Sequence, residues 1–248
     1  MTDMTTTPYH SHSHLPDDHA ILCHPYMLMS NGSLVYRLLE QLGIPCRGRS
    51  VLDLGAGTGQ ATRLLKAIPG IRIEACDIDP LSQRFFRENP ELEDVPFFRF
   101  DFLREELPKE YDAVICRGVY HHVPKRARPT FLRKILDHSR VLIIVDEGIQ
   151  EYKASNERQK NCEGWYSHII GEAKRQGLDY LARTETEFME HERLNTADDG
   201  GDFKESPSHL IKEDAAAVGL APTSIDRYGP WHLGGGFFTA TFVRPHPT

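Results

Sequence analysis

The stretch Val51-Leu52-Asp53-Leu54-Gly55-Ala56-Gly57-Thr58-Gly59-Gln60 constrains the fold more than any other part of the chain. An apolar strand runs into three glycines at alternate positions, and a helical pattern follows at once. Glycine in such a turn adopts dihedrals closed to other residues and lets the backbone approach a ligand closely. Amides at the start of the following helix face anionic groups. A dinucleotide fingerprint would place glycines at 55, 57 and 60, but Gln60 occupies the third place. That disfavours a nicotinamide dinucleotide oxidoreductase. A phosphate loop fails because no Gly-Lys-Ser/Thr follows.

The rhythm beyond this unit is α/β. Strand patterns fall at Ser50–Leu54, 71–76, 95–100, 112–116 and 141–146, with helical patterns at 58–68, Pro80–Glu88 and 129–138 between them. Asp79-Pro80 is an N-cap followed by proline at the first helical position. Such alternation predicts a parallel sheet covered on both faces. Upstream, Leu34, Val35, Leu38, Leu39 and Leu42 predict an amphipathic helix over 31–42, stopped by Gly43. Downstream, 150–205 breaks the rhythm: it reads as long and polar, helical in its first half and loop-like at 195–202. Ser206-Pro207 opens a helix closed by Gly219. Strand patterns near 221–228 and 237–244 follow, joined through Gly229-Pro230 and Gly234-Gly235-Gly236. The expected organisation is an N-terminal arm and helix over 1–49 covering the site, then one α/β domain over 50–248. A substrate-cover insertion occupies about 150–206 of that domain.

Composition sets bounds on partners. With 248 residues and a net charge of -7, the chain is a poor general binder of nucleic acid, whose attraction is largely electrostatic. No apolar run approaches the roughly 20 residues of a membrane span. The first eighteen residues do not read as a secretory leader. His10, His12 and His14 read as solvated low-complexity sequence rather than a metal site. Cys23, Cys46, Cys76, Cys116 and Cys162 form no Cys-x-x-Cys pair and read as reduced thiols. The expectation is a cytoplasmic protein with no bound metal, no membrane contact and no nucleic-acid partner.

The glycine spacing is similar to motif I of the class I S-adenosylmethionine-dependent methyltransferases, small-molecule branch, and three further stretches extend the resemblance. Ile73-Glu74-Ala75-Cys76-Asp77-Ile78-Asp79-Pro80 resembles the second motif, which implies that Asp77 takes the ribose hydroxyls, with Ile78 beside it. Phe98-Arg99-Phe100-Asp101-Phe102 resembles the third, implying that Asp101 meets the adenine amino group next to Phe102. The segment 111–123, from Tyr111 to Val123, resembles the fourth and implies backbone contacts to the cofactor's methionine part at Arg117 and Gly118. In motif I the implied contacts are Gly55, Ala56, Gly57, Thr58 and Gly59, while Asp53 either caps the loop or touches the cofactor. One departure is the turn Leu136-Asp137-His138-Ser139-Arg140, where the family usually carries Leu-Lys-Pro-Gly-Gly. The fold implied is a seven-stranded, mostly parallel, doubly wound sheet with its last strand antiparallel and a helical cover.

Methyl transfer is an in-line displacement, so positioning does most of the catalytic work. A hydroxyl acceptor also needs its proton removed, often by histidine or a carboxylate. The candidates past strand four are Tyr120, His121 and His122. Past strand five they are Asp146 and Glu147, with Glu147 the candidate holder of an amine. From the insertion come Tyr152, Trp165, Tyr166 and His168, and from the arm Tyr9 and Tyr26. Aromatic rings suit a sulfonium charge. An excess of acidic residues over 183–214 would favour a cationic acceptor. The stretch Lys125-Arg126-Ala127-Arg128, with Arg133-Lys134, reads as the solvated outer face of a helix. No metal ligand replaces Cys116 and Arg117 at the end of strand four. The reading is methyl transfer to nitrogen or oxygen of a small metabolite, an acceptor class that includes natural products. A cofactor-binding regulator without transfer activity is the non-enzymatic alternative. Titration calorimetry separates the cofactor readings: S-adenosylmethionine or its demethylated product gives binding heat and NAD or NADP gives none, whereas tight nicotinamide binding would contradict this.

Overall fold

The computed structural model describes residues 25–194 and 204–244. The histidine-bearing arm, Tyr9, Cys23 and the loop-like stretch at 195–202 lie outside the described residues, as does the side chain of Tyr26. In chain order the elements are α1 (Pro25–Leu42), β1 (Ser50–Leu54), α2 (Gln60–Lys66), β2 (Arg72–Asp77), α3 (Pro80–Glu88) and β3 (Phe97–Arg99). Then come β4 (Tyr111–Arg117), α4 (Arg128–Asp137), β5 (Ser139–Ile149), α5 (Ser155–Arg175) and α6 (Asp179–Leu194). A π-helical turn (Ser208–Lys212) continues into α7 (Glu213–Ala217), followed by β6 (Ser224–Tyr228) and β7 (Gly235–Val243). The seven strands form one sheet in the order β3-β2-β1-β4-β5-β7-β6. β1 to β5 pair in parallel, and β7 runs antiparallel to both β5 and β6. The expected architecture is the one found.

Alternation along the strands feeds two cores, one on each face. Leu52, Leu54, Val114, Cys116, Leu142 and Ile144 meet Phe131, Leu132 and Ile135 of α4 and Leu210, Ile211 and Ala215 around α7. Val51, Ala113, Ile115, Val141 and Ile143 point the other way, against α1, α2 and α3. Both sets are apolar because a doubly wound sheet leaves its central strands no solvent face. α1 inserts Leu34, Leu38 and Leu42 into the second core. Polar contacts fix its rotation: Arg37 forks onto both carboxylate oxygens of Asp226 on β6, at 2.6 and 2.7 Å, and Ser33 bonds Tyr228.

The insertion differs from the sequence reading. It is helical well past its first half, as two helices packed on each other. α5 ends at Gly177, whose φ is +73°, with Leu178 N–H bonding Ala173 O and Gly177 N–H bonding Lys174 O. That reciprocal pair is a Schellman stop, after which a second helix can begin. The polar composition hid α6 because the pair buries only a narrow stripe: Cys162, Tyr166, Ile170 and Ala173 against Ala182, with Phe188 and Met189 alongside. Among the described residues no helix is long and apolar enough to cross a membrane.

Leu38 tests how firmly α1 belongs to the sheet. It is fully buried, so Leu38→Ala should lower unfolding free energy by about 2–5 kcal/mol in urea. A change below about 0.5 kcal/mol, the ordinary range for surface positions, would mark α1 as a loosely held cover.

Candidate active site

The site is built at the carboxyl edge of the parallel strands, where such sheets bind ligands. Gly55, Gly57 and Gly59 have φ of +72°, +55° and +87°. A side chain at 55 would also collide with Val119 Cγ2 at 2.3 Å, and one at 59 with Leu92 Cδ1 at 2.2 Å. Gly59 is thus demanded by packing beneath the turn. The first amides of the turn bond within the protein. Gly55 and Ala56 N–H both donate to Cys76 O at 2.9 Å, and Gly57 N–H donates to Asp77 Oδ2 at 2.8 Å. The turn is thus tied to the end of β2. Thr58, half-buried, stands where it leads into α2.

Asp77 closes that tie. It is 8% exposed, with Oδ1 accepting from Asp79 N–H at 2.9 Å. Burial raises its pKa against the effect of these amide hydrogen bonds. Each carboxylate oxygen accepts one bond and keeps further acceptor capacity, which is what a vicinal diol requires. Ile78 is half-buried just beyond it. Asp53 lies behind the turn: its buried carboxylate accepts the Thr62 hydroxyl at 2.5 Å, and burial pushes its pKa up to about 6 against the Thr62 bond and the Arg117 charge. Its hydroxyl partner belongs to α2, the helix that follows the turn. Arg117 reaches Gln60 Oε1 at 3.4 Å. Asp101 caps a turn through Leu103 N–H at 3.0 Å, and the Phe102 ring is buried edge-on against Phe131 at 5.0 Å. The Phe102 carbonyl accepts Lys134 Nζ at 3.1 Å. Gly118 has φ +65°, and nothing lies within 4 Å of where its Cβ would be. The strand end is open there.

At the ends of β4 and β5 the candidates separate. Asp146 has a fully buried carboxylate that accepts His121 N–H at 3.0 Å and Glu147 N–H at 2.8 Å, and meets His121 Nδ1 at 2.6 Å. Burial works to raise its pKa, but the His121 charge and these hydrogen bonds outweigh burial, and the carboxyl sits below its ordinary range. The His121 ring, 20% exposed at its side chain, turns Nε2 away from Asp146 and packs on His122 at 3.8 Å.

Tyr120 is corrected. It is wholly buried, with its hydroxyl on Asp214 at 3.1 Å and its ring against Phe131, so it lines no acceptor. Glu147 is engaged by Lys204 Nζ at 2.7 Å and Trp165 Nε1 at 3.3 Å. Tyr166 is buried beneath Lys204, whose ammonium lies 5.5 Å from the ring centroid. Tyr152 stacks on His209 at 4.3 Å. Trp165 and Tyr166 are buried in the insertion, and Tyr152 packs against the same cluster as Tyr166 while stacking on His209.

Three residues escaped the sequence reading. Lys204 neutralises Glu147, and Glu185, pushed up to about 7 by burial and by the Glu147 charge, lies close by. Arg128, read as solvated, is 1% exposed and pairs with buried Glu205 at 2.5 Å. Its signal was available. Positions 128, 131, 132 and 135 share one helical stripe, so Arg128 sits on the same face as Phe131, Leu132 and Ile135.

Residues 51–141, from the glycine turn to the start of β5, match a family described as "Methyltransferase domain". Residues 51–141 are thus similar to a methyltransferase domain, and the sheet that carries them has the class I S-adenosylmethionine-dependent methyltransferase fold. Solved structures share the fold. One is the DhpI–SAH complex, 19% identical, covering 94% of this chain and 92% of that one at a TM-score of 0.56. Another is the N-methyltransferase NodS from Bradyrhizobium japonicum WM9 with S-adenosyl-L-homocysteine: 11% identity, 94% and 95% coverage, TM-score 0.57. A third is magnesium protoporphyrin IX methyltransferase from Synechocystis PCC 6803 with bound SAH: 16%, 86% and 82%, and 0.53. At such identities the likeness is one of fold. No curated protein sequence matches the chain.

Asp77 offers the direct check on the cofactor contact that the resemblance implies. Charge-assisted hydrogen bonds are worth about 1.5–3 kcal/mol each, so Asp77→Ala should weaken S-adenosylhomocysteine binding by tenfold or more in calorimetry. Asp77→Asn, which keeps an acceptor for Gly57 N–H, should fall between. An unchanged dissociation constant in folded Asp77→Ala would remove Asp77 from the cofactor site.

Proposed function

We propose that this methyltransferase transfers the methyl group of S-adenosylmethionine to a hydroxyl oxygen of a small organic acceptor, with His121 as the general base. The observation that carries the reading is the His121 Nδ1 to Asp146 Oδ1 contact of 2.6 Å, made by a carboxylate with no exposure at its side chain. A buried, ionised aspartate on one ring nitrogen fixes the tautomer and the orientation of the imidazole. The other nitrogen is then the one that accepts the acceptor's proton. Burial makes the Asp146–imidazolium attraction stronger than it would be in water.

When bound, S-adenosylmethionine supplies an electrophilic methyl carbon on a sulfonium. The residues that would hold it are Asp77 at the ribose, the turn from Asp101 to Phe102 at the adenine and, beside the methionine part, Arg117 and Gly118, where the space next to the Gly118 Cα is open. A turn whose amides are engaged by β2 suits a cofactor that brings no phosphate. The insertion at about 150–206, with Trp165 and Tyr166, covers the acceptor.

Glu147 supports the oxygen reading indirectly. A free carboxylate there would hold a protonated amine, but Lys204 and Trp165 occupy it. Turnover against a panel of phenols, alcohols and amines, followed by S-adenosylhomocysteine release, tests this. His121→Ala should lower kcat by about 10²–10⁴ on the best hydroxyl acceptor, the usual contribution of a positioned base. Asp146→Asn should lower it in the same direction, and His122→Ala should have little effect. An amine as the preferred acceptor, or full activity in His121→Ala, would overturn the assignment.

A further inference from the structure

Residues 204–206, at the end of the insertion, form a strap with heavily engaged polar groups. Lys204 donates through N–H to Glu192 at 2.7 Å, accepts at its carbonyl from Arg158 at 2.9 Å and reaches Glu147 through Nζ. Ser206 bonds Glu151 at 2.8 Å and His209 Nδ1 at 2.6 Å through its hydroxyl, and takes Leu210 N–H at its carbonyl. Between them, Glu205 accepts Ile149 N–H at its carbonyl and sends its carboxylate, 3% exposed, onto Arg128. The strap therefore joins α5 and α6 to the end of β5.

Arg128 carries the connection one step further. Its Nε donates to Val123 O at 2.9 Å and its Nη2 to His121 O at 3.4 Å, while Nη1 holds Glu205. The guanidinium also lies 5.9 Å from the Tyr120 ring centroid. One buried fork thus grips the carbonyls of His121 and Val123 after β4 and the last residues of the acceptor cover. A lysine could not make this set, because its ammonium is a point charge without the planar fork.

We propose that Arg128 is a positioning residue for His121, and that Glu205 sets Arg128, so that the seating of the acceptor cover is registered at the base. The proposal rests on the reading of His121 as that base. It adds a link between substrate cover and proton acceptor that neither the motifs nor the dyad contains.

Proton NMR of the full chain reads the link without an acceptor. The His121 Nδ1 proton held by Asp146 should give a downfield resonance, identified by its absence in Asp146→Asn. Glu205→Gln and Arg128→Lys should speed its exchange with water by about tenfold, the scale of one lost charge-assisted hydrogen bond. Lys125→Ala, which removes only the more exposed Glu205 partner at 3.4 Å, should leave it unchanged. Near-UV circular dichroism on the same samples separates positioning from folding. Unchanged exchange in both Glu205→Gln and Arg128→Lys would overturn the proposal, and so would a loss of signal that merely tracks loss of near-UV dichroism. Full turnover in His121→Ala would instead overturn the base assignment and leave the NMR result standing.

Discussion

A carboxylate cannot be buried alone, and Asp146 shows what its burial organises. Leaving an ionised group out of water without partners costs several kcal/mol. Asp146 avoids this by gathering two backbone amides and one imidazole, all within 3.0 Å. The amides come from two places, the turn after β4 and the next residue of β5. The same contacts that satisfy the charge therefore fix the His121 ring relative to the sheet. Replacing the carboxylate would leave these donors seeking new partners, and the first casualty would be the position of the imidazole.

The other end of the site follows the same logic with different partners. Asp77 takes Gly57 and Asp79 amides, and Asp53 takes the Thr62 hydroxyl with Arg117 nearby. Strands β1, β2 and β5 thus each place one buried carboxylate at or near the carboxyl edge, and each is held by donors from a neighbouring turn or helix. Between Asp77 and His121 lies the end of β4, where Gly118 leaves the space beside its Cα open. Val119 then packs onto Gly55, coupling the turn after β4 to the turn after β1. The two halves of the site are therefore built on one rigid edge, which suits a reaction that depends on alignment.

Much of this was legible from residues alone. The glycine turn and the alternation of strands and helices could be read because they rest on local glycine spacing and on buried strands that are apolar on both faces, while the seven-stranded, mostly parallel sheet followed from the resemblance. His121, Asp146 and Glu147 were all marked as candidates, but their division of labour was not readable. It depends on a contact between residues 25 apart in one case and 57 apart in the other. Arg128 shows the limit most clearly. Its partner Glu205 lies 77 residues away, so in the sequence it stands among lysine and arginine and reads as a solvated face. Tyr120 failed for a related reason: an aromatic next to a histidine pair looks like a pocket wall until Asp214 is seen to hold its hydroxyl inside the core. In the insertion, a narrow apolar stripe on two polar helices gave too weak a period to show α6.

The central claim is that a neutral His121, oriented by Asp146, takes the acceptor's proton. The pH dependence of kcat, measured at saturating S-adenosylmethionine on the best acceptor, tests it most directly. A base must be unprotonated to act, so the rate should rise as pH rises and level off once the imidazole is neutral. In His121→Ala the residual rate should lose that rise. A wild-type profile flat from pH 5 to 9, or a rise that persists unchanged in His121→Ala, would contradict the claim.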